Sequence, residues 1–339
     1  MQMRATVLIF LTPLAVAAQT APTFRTSESA LRQAQTATQR QDSTPSINAR
    51  AGSKEAAPEL YQGESADVGP QLILVEKQRR LWFEAGVDTQ YYYTSNLFLT
   101  EKERIDTDKG PTESGILLTT AQFAIAPEAF LIGPGEYSIR AGYRHQTYLY
   151  GLEKTSSKLD DFDFDVSSTY LNHRYRLPSG FAFSLGSEYN RFLSHDAAWR
   201  EFYAEFALTW GVEKSFGFGE NHQVVLAYYG MNHFTHTDST PTTNVNDRID
   251  SILSLSWSWQ FYPRVLLQPF YRIQQVHYWR SNDRDDLINT MGVSIAWYPT
   301  DAVSVRLFTS YELRESDDEF VDDYHKLDAG GGLSLNFRF

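Results

Sequence analysis

Polar and apolar residues alternate along most of this chain, most cleanly where Leu253, Leu255, Trp257, Trp259 and Phe261 are interleaved with Ser254, Ser256, Ser258 and Gln260. A strand sends successive side chains to opposite faces, so such a segment has one greasy face and one polar face. From Arg80 onward the rhythm recurs and predicts twelve strands: 80–93, 115–128, 136–149, 162–177, 180–193, 199–214, 221–235, 248–262, 264–278, 286–298, 301–314 and 324–339. The fourth and seventh alternate poorly, which suggests a β-bulge in each.

The links between strands follow their own alternation. After even-numbered strands they are tight: Gly133-Pro134-Gly135, Pro178-Ser179-Gly180, 217–220, Pro263 and Pro299-Thr300-Asp301. After odd-numbered strands they are longer and more polar (94–114, 150–161, 236–247, 279–285 and 315–323), except for a short one near His195. Strands with one apolar face, joined by tight turns at one end and roomy loops at the other, are what a sheet closed on itself across a bilayer requires. The expected fold is all-β: a single closed antiparallel up-and-down transmembrane β-barrel of about twelve strands. An even count puts the N- and C-termini together, on the periplasmic side.

Aromatic residues gather near the strand ends, as interfacial girdles would. Trp210, Trp257, Trp259, Phe261, Tyr262, Trp297, Tyr298 and Phe339 are assigned to the periplasmic girdle. Tyr91, Tyr92, Tyr93, Tyr148, Tyr150, Phe192, Tyr278 and Trp279 are assigned to the external one. The last strand carries Leu333, Leu335, Phe337 and Phe339 on one face and Ser334, Asn336 and Arg338 on the other. It resembles the terminal strand of Gram-negative outer-membrane proteins, and that resemblance implies recognition of these four apolar residues by the barrel-assembly machinery. Tyr92-Tyr93-Thr94-Ser95-Asn96-Leu97-Phe98 resembles, over seven residues, a segment of the β-barrel porin 2 family, which implies a porin or a route for polysaccharide.

The N-terminal part is different in kind. Arg4, the apolar run Val7 to Val16 and the small residues Ala15-Val16-Ala17-Ala18 read as a signal peptide over 1–18. Residues 19–75, rich in Gln, Ser, Thr and Ala, read as a mostly disordered periplasmic leader, leaving 76–339 for the barrel. The chain has no cysteine, which excludes disulfides, thiolate catalysis and thiolate metal sites. A net charge of −12 argues against a nucleic-acid partner.

Outward parity, fixed by the apolar residues, leaves an inward set: Glu84, Asp88, Gln90, Arg140, Arg144, Glu188, Asn190, Glu205, Gln268, Arg272, Gln274, Arg306 and Arg338. Both charge signs are present. Such charges either pair and close the interior or line a water-filled path. Twelve strands give a backbone diameter of roughly 25 Å, between a filled barrel and an open pore. Inward glycines at Gly86, Gly142, Gly186, Gly211, Gly292 and Gly332 leave space for a path.

Other chemistry is thin. A lipid-acting barrel enzyme would place a Ser two residues after a His, and no histidine here has one; His145-Gln146-Thr147 and His233-Phe234-Thr235 come nearest. Asp322-Asp323-Tyr324-His325 reads as a solvated loop. So do Asp283, Asp285 and Asp286, and Asp317, Asp318 and Asp322, which lack a calcium-loop spacing. Asp161, Asp163 and Asp165 read as a strand rim.

The expectation is an outer-membrane, porin-like channel for diffusion or export of polar solutes or polysaccharide, with no enzyme activity, metal or cofactor. Its partners would be outer-membrane lipid, lipopolysaccharide and the assembly machinery. The competing reading is a structural barrel with a closed interior whose external loops bind a partner.

Overall fold

The computed structural model describes residues 82–339 except 98, 100–112, 153–158, 160–162, 196–198, 220, 237–245, 281–283 and 319–320. The signal peptide and leader assigned to 1–75, and Asp161 and Asp283, lie outside these residues. Thirteen strands follow in order: β1 Phe83–Thr94, β2 Ser114–Ile125, β3 Phe130–Ile132, β4 Gly135–Tyr150, β5 Phe164–Arg176, β6 Phe181–Ser194, β7 Glu201–Phe218, β8 His222–His236, β9 Arg248–Tyr262, β10 Val265–Tyr278, β11 Arg284–Trp297, β12 Val303–Ser316 and β13 Tyr324–Arg338. There is no helix among the described residues.

Every pairing is antiparallel, and the order closes on itself. β2 pairs with β4, each later strand with the next, and β13 with β1, from Glu84↔Arg338 to Thr94↔Asp328. The result is a closed twelve-strand β-barrel. The short β3 stands outside the ring, pairing only with the start of β4 through Phe130↔Tyr137. It extends the connection expected after the second strand. Gly133 at φ 57° followed by Pro134 makes a two-residue hairpin there: glycine tolerates the positive φ and proline supplies the fixed negative one.

The seam is finished by the last residue. The Phe339 carbonyl accepts from the Trp82 and Phe83 amides at 3.1 and 2.8 Å, and the Phe339 amide donates to the Phe83 carbonyl at 2.9 Å. Phe83 stacks on Phe339 and on Phe123, with ring centroids 6.0 and 5.9 Å apart.

Bulges occur elsewhere than expected. β5 and β8 keep continuous register with both neighbours, while register shifts fall between β6 and β7 near Phe192 and between β9 and β10 near Val265. β5 alternates poorly for another reason: each of its faces is mixed, Phe164 and Val166 sharing one with Ser168 and Asn172, and Asp165 and Ser167 sharing the other with Leu171.

The outward wall is apolar. Val87, Leu185, Leu208, Leu226, Leu253, Leu255, Ile295 and Leu307 all stand exposed. A contiguous surface of this kind is one that water does not tolerate and hydrocarbon does.

Candidate functional site

The interior is built by the opposite parity of the same strands, so its chemistry is set by the positions that alternate with the apolar wall. Near the end with tight turns, Glu84 bridges two arginines from either side, Arg140 at 2.9 Å and Arg338 at 3.7 Å. Arg174 pairs with Glu213, which also accepts from the Tyr229 hydroxyl at 3.3 Å. The Arg140 and Arg338 side chains keep substantial solvent contact, 35% and 45% exposed, whereas Arg174 and Glu213 are largely buried. Further along, Arg306 reaches Asp88 at 3.4 Å, and Arg144 reaches Glu188 at 2.5 Å while lying over the Tyr170 ring.

Toward the end with longer links the interior closes. Glu205 accepts from the Tyr203 hydroxyl at 3.0 Å and lies 3.4 Å from His233 and 3.8 Å from Arg248. Asp250 meets Arg248 at 3.2 Å and His233 at 3.3 Å. A second network centres on Glu312, which meets Lys326 at 3.4 Å and Arg272 at 3.7 Å and accepts from Thr290 and Tyr324 hydroxyls at 3.2 and 2.9 Å. Asp328 approaches Lys326 at 3.4 Å. Arg248 and Arg272 are each 1% exposed, so their charges are held by partners and not by water. Gln274 donates to Asp250 at 3.2 Å, and nearer the tight turns Gln268 donates to Ser258 at 2.9 Å.

The facing side of the interior is apolar. Tyr92, Ile116, Leu118, Tyr148, Tyr150, Phe164, Val166, Phe192, Tyr203 and Phe308 form one buried cluster with Leu97 and Leu159. Tyr148 stacks on Phe164 with ring centroids 4.6 Å apart, and Tyr203 meets Phe192 edge-on at 5.1 Å. Tyr92 and Phe308, on strands separated by β13, come within 5.9 Å because Gly330 lies between them; a Cβ there would stand 2.3 Å from Tyr92 Cβ.

This corrects the external girdle. Tyr92, Tyr148, Tyr150, Phe192 and Tyr278 are buried and do not face the surrounding medium. All five share parity with the inward charges of their own strands, so the alternation already carried the signal. Tyr91, Tyr93, Trp210, Trp257, Trp259, Tyr262 and Trp297 are exposed on the outer wall, with Trp279 and Tyr298 half-buried. Leu333, Leu335, Phe337 and Phe339 are exposed on that wall too.

The inward set read from sequence also omitted His233, Arg248, Asp250, Glu312, Lys326 and Asp328, although they follow the same alternation. The Asp322–His325 cluster is divided: Asp323 accepts from the Ser316 amide at 2.8 Å, Tyr324 turns inward to Glu312, and the His325 ring lies 6.3 Å from that of Tyr311. Asp285 sits 3.0 Å from His277, and Asp286 accepts from Ser316 Oγ at 2.7 Å. No group of three or more His, Asp or Glu among the described residues is arranged to hold a metal ion.

No family model matches the chain, and neither does any curated protein sequence. Among solved structures it is similar in fold to an outer membrane channel from Pseudomonas putida, with 9% identity over 76% of this chain and 96% of that one and a TM-score of 0.49. The β domain of the Bordetella autotransporter Brka matches with 10% identity over 76% of this chain and all of that one, at a TM-score of 0.44. KdgM porin, in complex with disordered oligogalacturonate, matches with 8% identity over 74% and 99% of the two chains, at 0.37.

Proposed function

We propose that this chain is a Gram-negative outer-membrane β-barrel whose interior forms a narrow, mixed-charge path for polar solutes, closed at the long-link end in the conformation described. The observation that carries the proposal is the contrast between the two faces of one sheet. The outer face exposes Leu, Val, Phe and Trp, and the inner face carries arginines, acids and amides beside one buried aromatic cluster. The end with longer links faces outward and both termini lie in the periplasm. Leu333, Leu335, Phe337 and Phe339 serve the assembly machinery, and lipid and lipopolysaccharide surround the wall. The short porin-like segment at Tyr92–Phe98 adds polysaccharide as a cargo class. Passage along such a path needs no covalent chemistry.

Conductance of the refolded protein in planar bilayers tests the proposal. Small discrete steps are expected, and they enlarge when Arg248 and Asp250 are both replaced by Ser. A second reading, a structural barrel with a permanently closed interior, is favoured by the burial of Arg248, Arg272, His233 and Tyr203. Electrical silence in both proteins, across voltages and polar solutes, rejects the channel in favour of that second reading.

A further inference from the structure

The antiparallel register of β4 and β5 places His145 directly opposite Ser167 and Thr147 opposite Asp165, on the outward parity of both strands. The hydrogen-bond geometry joins them into one constellation. His145 Nδ1 lies 3.2 Å from Ser167 Oγ, and its Nε2 lies 3.5 Å from Asp165 Oδ1. Thr147 Oγ1 donates to Asp165 at 2.6 Å, and His195 Nδ1 approaches the other carboxylate oxygen at 3.1 Å. Asp165 is 1% exposed, whereas the His145 side chain keeps 25% of its surface open.

Trp199 lies flat against the His145 ring, with centroids 5.7 Å apart and planes 7° apart. It does so from a backbone φ of 63°, which side-chain-bearing residues seldom adopt and which tends to persist where a site fixes it. On the far side, Arg191 on β6 is the register partner of Ser167; it is half exposed and ion-paired through Nε with Glu201 at 2.5 Å, which leaves its terminal nitrogens to meet a ligand. The Tyr143 hydroxyl stands 3.1 Å from Ser167 Oγ. No His-to-Ser spacing within one strand marks this arrangement, because the register of two strands supplies the neighbour.

We propose that this constellation is a serine-hydrolase site on the outer wall, acting on ester-linked acyl chains of anionic glycerophospholipid at the long-link rim. The lipid-facing position rests on the membrane reading above. With its proton on Nε2 toward Asp165, His145 presents Nδ1 as an acceptor for the Ser167 hydroxyl, as a general base must. Ser167 Oγ attacks the ester carbonyl carbon, and its proton passes to His145. The bond from that carbon to the alcohol oxygen breaks, and the alcohol leaves with the proton. Water, deprotonated by His145, then attacks the acyl-serine, so that fatty acid departs and Ser167 is restored. Tyr143 is placed to donate to the carbonyl oxygen as it gains charge, and Arg191 offers a cation to the lipid phosphate. Asp165 touches no reacting atom; it is a positioning residue for the imidazole.

The test uses the full chain in vesicles of dioleoylphosphatidylglycerol and dioleoylphosphatidylethanolamine, with oleate release read by mass spectrometry. In parallel, a fluorophosphonate label and p-nitrophenyl butyrate are applied in detergent. Wild type is expected to release oleate and to take the label on Ser167. Ser167→Ala and His145→Gln are expected to lose at least ~100-fold in both hydrolytic assays, with heat-modifiable gel migration and bilayer conductance unchanged. Asp165→Asn lowers kcat while leaving KM in place. Folded protein that neither releases oleate nor takes the label overturns the proposal, as does release that survives Ser167→Ala. Loss in His195→Gln but not in His145→Gln overturns the assignment of the base. Labelling and butyrate hydrolysis without insertion into vesicles would reject the membrane reading while leaving the site standing.

Discussion

At the long-link end the barrel interior has two unlike sides. β1, β2 and β4 to β7, with Phe308 of β12, contribute a cluster of Tyr, Phe, Ile and Leu, held by ring stacking and apolar burial. β7 to β13 contribute the networks around Glu205 and Glu312, held by charge pairing. The first kind of contact is non-directional and scales with buried area. The second depends on stoichiometry, because each buried charge needs its complement and removing one strands the rest. One closed sheet therefore fills its centre by two physical routes. The apolar side can repack gradually, whereas the ionic side either keeps its full set of partners or comes apart.

The largest effect is expected on the apolar side. Phe164→Ala removes the ring that joins Tyr148, Tyr150 and Phe192, and should destabilise the barrel by about 4 kcal/mol, read as the urea midpoint of the heat-modifiable form. A loss below about 1 kcal/mol would mean that this side is loose and that the contrast drawn above is wrong. On the ionic side, Glu312→Gln keeps the shape but leaves Arg272 and Lys326 short of an anion, at a cost of about 3 kcal/mol. Replacing these three together with Asp328, which pairs with Lys326, by apolar residues of similar volume should restore most of that, and failure to do so would show that pairing alone does not hold the network. The smallest effect belongs to the tight-turn end. Arg338→Ala, which removes a half-exposed partner of Glu84, should change stability by less than about 0.5 kcal/mol in the same assay.

Most of the ring was legible in the sequence because period-two alternation is imposed on every strand that separates two solvents. The segment read as 248–262 is β9, Arg248–Tyr262, to the residue. β3 escaped because three residues make too short a run for alternation to register. The aromatic cluster was misplaced for a different reason. Tyr148 and Tyr150 share parity with Arg144 and Gln146, and parity, not nearness to a strand end, decides which side they face. The His145–Ser167 contact joins residues on different strands, and strand pattern alone does not state which rungs face each other. Register emerges only from the closed sheet.

The seam between β1 and β13 carries a kinetic consequence. Each remaining neighbour pair comes from consecutive or nearly consecutive segments and can zip locally, but Asp88 and Ser334, which meet across the seam, are 246 positions apart. Until that junction forms, the nascent sheet carries two raw borders of unsatisfied amides and carbonyls, the kind of margin on which other chains polymerise. The final strand is the clasp of the sheet: its pairing with β1 removes both borders in one step.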